Sequence, residues 1–430
     1  MVEKKKRNYL IYIILLFIYI FSIPIIHYNT QLLIEITAFG IIFLRTCCFG
    51  KISIPRKAVS IIEGYVPFVL YITIMFFIHS TKDPQNANAY YETYILFVKF
   101  FIRTIIICSY FELYRVQNKI NKQEFLNALI TVGCLQLICV ILAFISPAIR
   151  TAFLTLIKNN TTSIDINRNM QYLGRRSYGL SENLFDSFGY VCALLIVVTF
   201  WKGMKENKIS YIVLSIIMLI MPALNSRTGL ALATMGVAFV FIAFKHNIRN
   251  LKFSLKILAV GIPILLITLF CGAHLLPEST LEWVQDGINE IVNLLIYGQQ
   301  TGTFEIISEE IALPVNVMWG AGASPEYLNI AAMDMGYAQC LWRYGIIGTV
   351  LLLAGYLNSF RVGMLSTKLK EEKGLIICMF LFFFTYLYKI YSIGNMAGNL
   401  IIFGYIILII DSNAERKLFN ANNGKYRWKS

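Results

Sequence analysis

Residues 126–147, LNALITVGCLQLICVILAFISP, contain no charged side chain. About 20 consecutive apolar residues allow a helix to cross the hydrocarbon core of a bilayer. Similar stretches recur along the 430-residue chain, in which 57% of residues are hydrophobic and only 14% are charged. A soluble protein would carry about a quarter charged residues. The sequence therefore predicts an all-α polytopic membrane protein with a single transmembrane domain over residues 1–430.

Twelve transmembrane spans are predicted, and the basic residues orient them. With the N-terminus inside, 25 of the 38 Lys and Arg residues lie in cytoplasmic segments, seven lie outside and six lie within spans. Cytoplasmic loops of membrane proteins carry such an excess. Both termini are therefore predicted to be cytoplasmic, and the net charge of +14 requires no nucleic-acid partner. The predicted spans are residues 8–28, 31–49, 61–79, 93–111, 126–147, 184–201, 209–224, 228–244, 253–273, 337–359, 375–392 and 396–411.

Two predicted external connections are long, residues 148–183 after span five and residues 274–336 after span nine. The second contains nine acidic residues and no Lys or Arg. Its portion 281–298, LEWVQDGINEIVNLLIYG, has amphipathic helical spacing and predicts a helix on the outer membrane surface. Functional groups are often found in long loops held by a rigid scaffold. We therefore expect the functional site on the external side.

Common cofactor and metal motifs do not occur in the chain. It has no Walker motif, no GxGxxG fingerprint and no zinc-ligand spacing. The nine cysteines lie mostly within apolar runs without CxxC spacing, which favours buried thiols over disulfides. We therefore expect neither a cofactor nor a metal.

Seven basic residues are predicted on the outside, where the bias towards cytoplasmic loops does not explain them. Five are arginines, whose planar fork matches the oxygens of phosphate. Arg227 occupies a connection of only a few residues, which keeps it at the membrane rim. Arg175 and Arg176 immediately precede span six, where Gly179 permits a tight turn. The pattern predicts an outward-facing site for a phosphate-bearing lipid. The seven residues are Lys82, Arg150, Lys158, Arg168, Arg175, Arg176 and Arg227.

Three further charged residues lie in or beside predicted spans. Arg103 is near the middle of span four, where a cation is costly and is usually functional or paired. Arg343 lies in span ten, and Asp334 immediately precedes that span. Structural roles account for these residues equally well: Arg103 has Glu35 or Asp186 as a candidate partner, and Asp334 suits a helix N-cap. Likewise, an ordinary solvated position in a loop is an alternative explanation for some of the external arginines.

Three segments carry a resemblance to a known family. They are RRSYGLSEN at 175–183, LNSRTGLA at 224–231, and WGAGASPEYLN at 319–329 followed by DMGYAQCLWRYGIIGTVLL at 334–352. Their order, spacing and predicted side resemble the signatures of the O-antigen ligase and O-antigen polymerase superfamily. The resemblance covers residues 168–360, whereas the first five spans match by hydropathy alone.

Departures from the ligase pattern favour a polymerase. The ligases typically carry a His-Asn pair where this chain has Asp334 and Met335. The form Asp334-Met335-Gly336-Tyr337 resembles the polymerases of O-antigen and capsule clusters. Arg168 and Gly179 also match an arginine and glycine separated by ten residues, a loose pattern described for some polymerase loops.

The resemblance implies a glycosyltransferase of the bacterial cytoplasmic (inner) membrane with its active site facing outside. It would polymerise undecaprenyl-pyrophosphate-linked repeat units into O-antigen, capsule or exopolysaccharide without a metal or cofactor. The acceptor hydroxyl would attack the anomeric carbon and displace the lipid pyrophosphate. Arg176 and Arg227 would stabilise that leaving group, and Asp334 would act as the base or orient the acceptor hydroxyl. The expected substrate-binding residues are Arg175, Arg343, Arg103, Arg168 and Tyr337.

The implied partners are the lipid-linked glycan, membrane lipid, a flippase and a chain-length regulator protein. Two other functions compete with polymerisation. One is an O-antigen ligase-type transferase. The other is a lipid-linked oligosaccharide flippase or polysaccharide transporter, which twelve spans and intramembrane cations fit as well. Transporters usually show internal repeats and short loops, and neither is evident here.

Overall fold

Helices make up almost all of the described part of the chain. The computed structural model describes residues 2–23, 30–49, 56–158, 177–181, 185–244, 282, 285–286, 289–290, 292–299, 301, 313–323, 335–389, 393 and 395–410. No strand occurs in these residues. The α-helices are α1 Val2–Ile20, α2 Thr30–Phe49, α3 Arg56–Glu63, α4 Val66–Lys82, α5 Ala87–Gln117, α6 Lys122–Ile145, α7 Pro147–Lys158, α8 Phe185–Glu206, α9 Ile209–Met218, α10 Ile220–Ala223, α11 Arg227–Phe244, α12 Gly336–Ser366, α13 Lys370–Lys389 and α14 Met396–Ile410.

The all-α membrane class predicted from the sequence is confirmed. Six apolar segments within the described ranges are helical over a length that can cross a bilayer. Eleven of the twelve predicted spans overlap with helices, although spans 61–79 and 209–224 are each divided between two helices, and span nine (253–273) falls outside the described residues. The number of spans and their orientation stay predictions. The six segments are Val59–Lys82, Pro84–Gln117, Lys122–Ile145, Ser187–Glu206, Arg227–Phe244 and Gly336–Ser366.

The two long connections that are predicted to be external are described in part. The first begins with α7 and includes residues 177–181. In the second, the described residues between 282 and 292 are α-helical, and Asn293–Tyr297 form a π-helical turn. This turn ends at Gly298 in a left-handed conformation.

The chain divides into two compact units. Unit 1 comprises Met1–Ile36, Glu124–Glu310 and Leu381–Lys389. Within it, α8 is the central element, because 94% of the apolar window in Ser187–Glu206 is buried. A Cβ at Gly229 of α11 would lie 2.5 Å from the Cα of Gly189 in α8. These two glycines therefore let the helix backbones touch, as small residues do in membrane bundles.

Unit 2 comprises Thr37–Gln123, Ile311–Phe380 and Ile390–Ser430. Aromatic contacts join its helices: the ring of Phe68 in α4 packs edge-on against Phe97 of α5 and Tyr344 of α12, with centroids 4.6 and 5.0 Å away. Edge-to-face pairs of this kind stabilise packing beyond the area that they bury.

The opposite face of α4 is apolar and open. Leu70, Ile74 and Phe77 lie on one stripe, and their exposed fractions are 60%, 58% and 61%. In water a continuous apolar stripe of this kind is unfavourable, whereas exposed apolar patches are typical of surfaces that contact a membrane or a partner. This face agrees with a helix that packs against lipid.

Candidate functional site

The predicted site residues divide between described and undescribed parts of the chain. Arg103, Arg227, Tyr337 and Arg343 lie in described helices. Outside the described residues lie Arg168, Arg175, Arg176 and Asp334.

In unit 1, the residue after Arg176 is bound to the loop before Arg227. The backbone N–H of Ser177 donates to Oδ1 of Asn225 at 2.9 Å, and Nδ2 of Asn225 donates to the carbonyl of Ser177 at 2.6 Å. The Asn225 side chain also donates to the carbonyl of Met221 at 2.7 Å. Asn225 is fully buried, so water does not compete for these bonds. The chain positions adjoining the two arginines are thereby held together.

The segment that follows Arg176 is also held on α6. The hydroxyl of Ser177 donates to the carbonyl of Val140 at 2.8 Å, and Nε2 of Gln136 donates to the carbonyl of Tyr178 at 2.6 Å. Gly179 has φ +60°, and a Cβ there would lie 2.9 Å from the backbone nitrogen of Val140. Glycine at position 179 therefore provides both the turn and the close backbone approach.

Arg227 begins α11 and pairs with a distant acidic residue. Its Nη1 lies 2.7 Å from Oε1 of Glu290, and the exposed side-chain fractions are 27% for Arg227 and 15% for Glu290. The preceding residue, Ser226, caps the helix by accepting a hydrogen bond from the N–H of Gly229 at 3.0 Å. A cation in the first turn of a helix opposes the helix dipole, and the Glu290 carboxylate offsets this. Glu290 was not predicted from the sequence, because it is 63 residues away and is one of nine acidic residues in its loop.

In unit 2, α12 is broken at Gly345. Gly345 has φ 65° and ψ −176°, values that only glycine adopts readily. The backbone N–H of Ile346 donates to the carbonyl of Val317 at 2.9 Å, and the N–H of Ala321 donates to the carbonyl of Trp342 at 2.7 Å. Residues 313–323, in the connection that is predicted to be external, are therefore docked into the break. The sequence predicted span ten as a continuous helix over 337–359 and did not reveal this break.

Glycines on both sides make the docking possible. A Cβ at Gly320, which has φ +76°, would lie 2.5 Å from the backbone nitrogen of Gly345, and one at Gly345 would overlap the carbonyl of Met318. The hydroxyl of Tyr71 in α4 donates to the carbonyl of Tyr344 at 2.8 Å. Backbone groups left without helical partners at the break are thus satisfied, as buried backbone requires.

Arg343 lines a cleft beside this break. Arg343 is buried, with an exposed fraction of 8%, and its Nη2 lies 3.5 Å from Oε1 of Gln339. The cleft is open to solvent and has about 290 Å³ of empty space, solvent at its mouth included, and Tyr71, His79 and Tyr90 line it together with Arg343. His79 was not predicted from the sequence, because one histidine at the end of an apolar span carries no spacing signal.

The carboxylate of Asp83, four residues after His79, is held by two hydrogen bonds. Oδ2 of Asp83 accepts hydrogen bonds from Nδ2 of Asn86 at 2.8 Å and from the hydroxyl of Tyr90 at 3.0 Å. Asp83 lies between α4 and α5, outside the spans. The hydrogen bonds from Asn86 and Tyr90 hold the pKa of Asp83 below its ordinary value of 3.8.

The other two described site residues are not at this cleft. Tyr337 is partly exposed in the first turn of α12, and Arg103 is partly exposed at the middle of α5. Neither lines the Arg343 cleft. The candidate partner Glu35 is buried in unit 1, where it accepts a hydrogen bond from the hydroxyl of Tyr19 at 2.9 Å.

Comparisons with known proteins add no identification. The chain matches no protein-family model, no curated protein and no solved structure. Within the described ranges, no three His, Cys, Asp or Glu side chains are grouped as metal ligands.

Proposed function

We propose that this chain is a membrane glycosyltransferase that polymerises undecaprenyl-pyrophosphate-linked repeat units on the outer side of a bacterial cytoplasmic membrane. The all-helical architecture with long apolar helices is compatible with this activity. The order and spacing of the three motif segments support it through their resemblance to the O-antigen polymerases.

The observation that carries the proposal is the pairing of Ser177 with Asn225. Ser177 directly follows Arg176, and Asn225 is two residues before Arg227. Because the pair is buried and doubly hydrogen-bonded, it constrains the two chain segments that carry these arginines. Two guanidinium groups at one place would suit a pyrophosphate, which offers several oxygens to planar donor forks.

The charge environment of Arg227 is consistent with this role. Its guanidinium already binds one carboxylate, that of Glu290. In the proposed reaction, Asp334 accepts the proton of the acceptor hydroxyl, whose oxygen attacks the anomeric carbon of the growing glycan. The bond from that carbon to the carrier breaks, and its electron pair leaves with the lipid pyrophosphate. The arginines Arg176 and Arg227 stabilise the charge that develops there.

Complementation of a deletion strain tests the proposal. Wild-type chain should restore a ladder of long glycan on a gel, whereas Arg227→Ala and Arg176→Ala should yield a single exported repeat unit. Lys82→Ala removes an exposed cation outside the proposed clamp and should preserve the ladder. Membrane levels of each variant are measured with a C-terminal tag.

The deletion phenotype separates the competing functions. A polymerase deletion exports one repeat unit, a flippase deletion exports none, and a ligase deletion accumulates polymer on the lipid carrier. Either of the last two results, or normal ladders with both arginine variants, would overturn the proposal.

A further inference from the structure

The cleft beside the break in α12 brings a guanidinium and an imidazole together. We infer that Arg343 and His79 form a binding site for an oxyanion, a phosphate or a carboxylate group, in addition to the proposed clamp at Arg227. Arg343 lies in α12, two residues before Gly345. His79 lies in the last turn of α4. Both residues belong to unit 2.

His79 contributes a buried ring nitrogen that is available for a hydrogen bond. Nε2 of His79 is buried and has no hydrogen-bond partner in the described part of the chain. A buried polar atom without a partner is costly, and in native proteins it usually indicates a water, an ion or a ligand. The imidazole is held by its neighbours: its centroid lies 5.2 Å from that of Tyr90.

Two tyrosine hydroxyl groups at the cleft already donate hydrogen bonds. Tyr90 donates to Asp83 at 3.0 Å, and Tyr71 donates to the carbonyl of Tyr344 at 2.8 Å. Nε2 of His79 and the five-donor guanidinium of Arg343 are side-chain nitrogen groups at the cleft, whose other polar side chains carry hydroxyl groups.

The lining is unbalanced in charge. None of the described residues that line the cleft is acidic, and Asp83 is not among them. A cationic donor fork and an imidazole that line one cleft favour a group with two or more oxygens and a negative charge. A phosphate of a lipid headgroup and a carboxylate of a sugar acid share this chemistry.

The glycine-rich segment closes the cleft against His79. Gly322 has φ +78°, and a Cβ there would lie 2.7 Å from Cδ2 of His79. The same segment is docked into the break at Gly345. The external connection thus contributes directly to the wall of the proposed site.

Histidine NMR on the full chain in nanodiscs tests the inference without turnover. The chain contains four histidines, so labelling histidine with ¹⁵N gives few signals, and His79→Gln assigns the signal of His79. Inorganic phosphate and glucuronate are titrated separately, with glucose as the neutral control. We expect the His79 signal to shift with at least one anion, and the anion that binds more tightly identifies the source.

Two conservative variants and one control decide whether the cleft is the site. Arg343→Lys keeps a charge but loses the fork, and we expect affinity to fall about tenfold or more. His79→Gln, monitored by calorimetry, should weaken binding similarly. Lys82→Gln removes a nearby exposed cation that does not line the cleft and should leave affinity within about twofold. Unfolding midpoints establish that each variant is folded.

Three results would overturn the inference: no shift of the His79 signal with either anion, wild-type affinity in both cleft variants, or an equal shift with glucose. An equal loss in Lys82→Gln would also overturn it, because it would indicate general attraction by surface charge. Binding is measured without glycan synthesis. A failure of the proposed polymerase activity would therefore not change the binding result. Failure of the activity and failure of anion binding can thus be distinguished.

Discussion

Asn225 binds both backbone groups of Ser177, at 2.9 and 2.6 Å, across 48 residues of sequence. One amide side chain thus satisfies both the N–H and the carbonyl of a buried residue. This contact joins the segment after Arg176 to the loop before Arg227. It therefore links two short motifs, 175–183 and 224–231, which the local sequence pattern shows only as separate turns.

Replacing Asn225 with Ala should destabilise the protein. The change leaves the N–H and the carbonyl of Ser177 buried without these partners, at a cost of about 1–3 kcal/mol per unsatisfied group. The unfolding midpoint of the purified protein should fall, and the proposed polymerisation should fall with it. Thermal unfolding in detergent measures the first effect.

Asn118→Ala is the matched control. Asn118 is partly exposed, and its Nδ2 donates to Tyr114 within the C-terminal turn of α5 at 2.9 Å. We expect this variant to lose less than about 1 kcal/mol. Similar losses for Asn118→Ala and Asn225→Ala would contradict the special position of Asn225.

Replacing Gly345 with Ala should release the docked segment. The methyl group would overlap the carbonyl of Met318, and the backbone region itself costs about 1–3 kcal/mol for a residue other than glycine. We expect a lower unfolding midpoint and faster proteolysis within residues 313–323, measured by limited proteolysis and mass spectrometry.

Gly298→Ala separates conformational cost from the clash. Gly298 has the same φ of +65°, but no atom lies within 4 Å of a Cβ built there. The substitution should cost only about 1–2 kcal/mol and should leave proteolysis of the docked segment unchanged. Equal effects at both glycines would show that docking does not depend on the close approach at Gly345.

Replacing Glu290 with Gln should strengthen anion binding at Arg227. Oε1 of Glu290 lies 2.7 Å from Nη1 of Arg227, so an added anion must compete with the Glu290 carboxylate for the guanidinium. We expect several-fold tighter binding of inorganic pyrophosphate, measured by calorimetry. Stability should change by about 1 kcal/mol or less, because the pair is partly exposed.

Glu282→Gln is the control from the same connection, since Glu282 is exposed. It should bind pyrophosphate as the wild type does, whereas Arg227→Gln should bind it more weakly. Weaker binding in Glu290→Gln would indicate that Glu290 supports the ligand instead of competing with it.

Replacing Tyr90 with Phe should raise the pKa of Asp83, because the carboxylate loses one of the hydrogen bonds that lower it. A depressed folded-state pKa contributes stability above the ordinary value of 3.8, and this contribution is lost as the pH falls through the folded-state value. The stability difference between wild type and Tyr90→Phe should therefore narrow on acidification. Carboxyl ¹³C NMR and unfolding at several pH values measure both effects. An unchanged Asp83 titration would refute the assignment.

Local sequence determined the helical class and the turn at Gly179. The uncharged stretch 126–147 predicted a membrane helix, and α6 covers Lys122–Ile145. Hydropathy succeeds here because a helix satisfies its own backbone groups, so the length of an apolar run suffices in lipid. Gly179 was likewise recognised as a turn, since a positive φ is a property of one residue.

Tertiary structure alone decided which functional groups meet. Arg227 pairs with Glu290, and Arg343 shares a cleft with His79, which precedes it by 264 positions. No periodicity encodes these pairs, because each depends on how separate helices and loops pack. The break at Gly345 has the same origin: glycine permits the conformation, but the docked carbonyls of Val317 and Met318 stabilise it. The sequence by itself thus determined where the chain is helical and apolar, whereas long-range hydrogen bonds and ion pairs decided the sites.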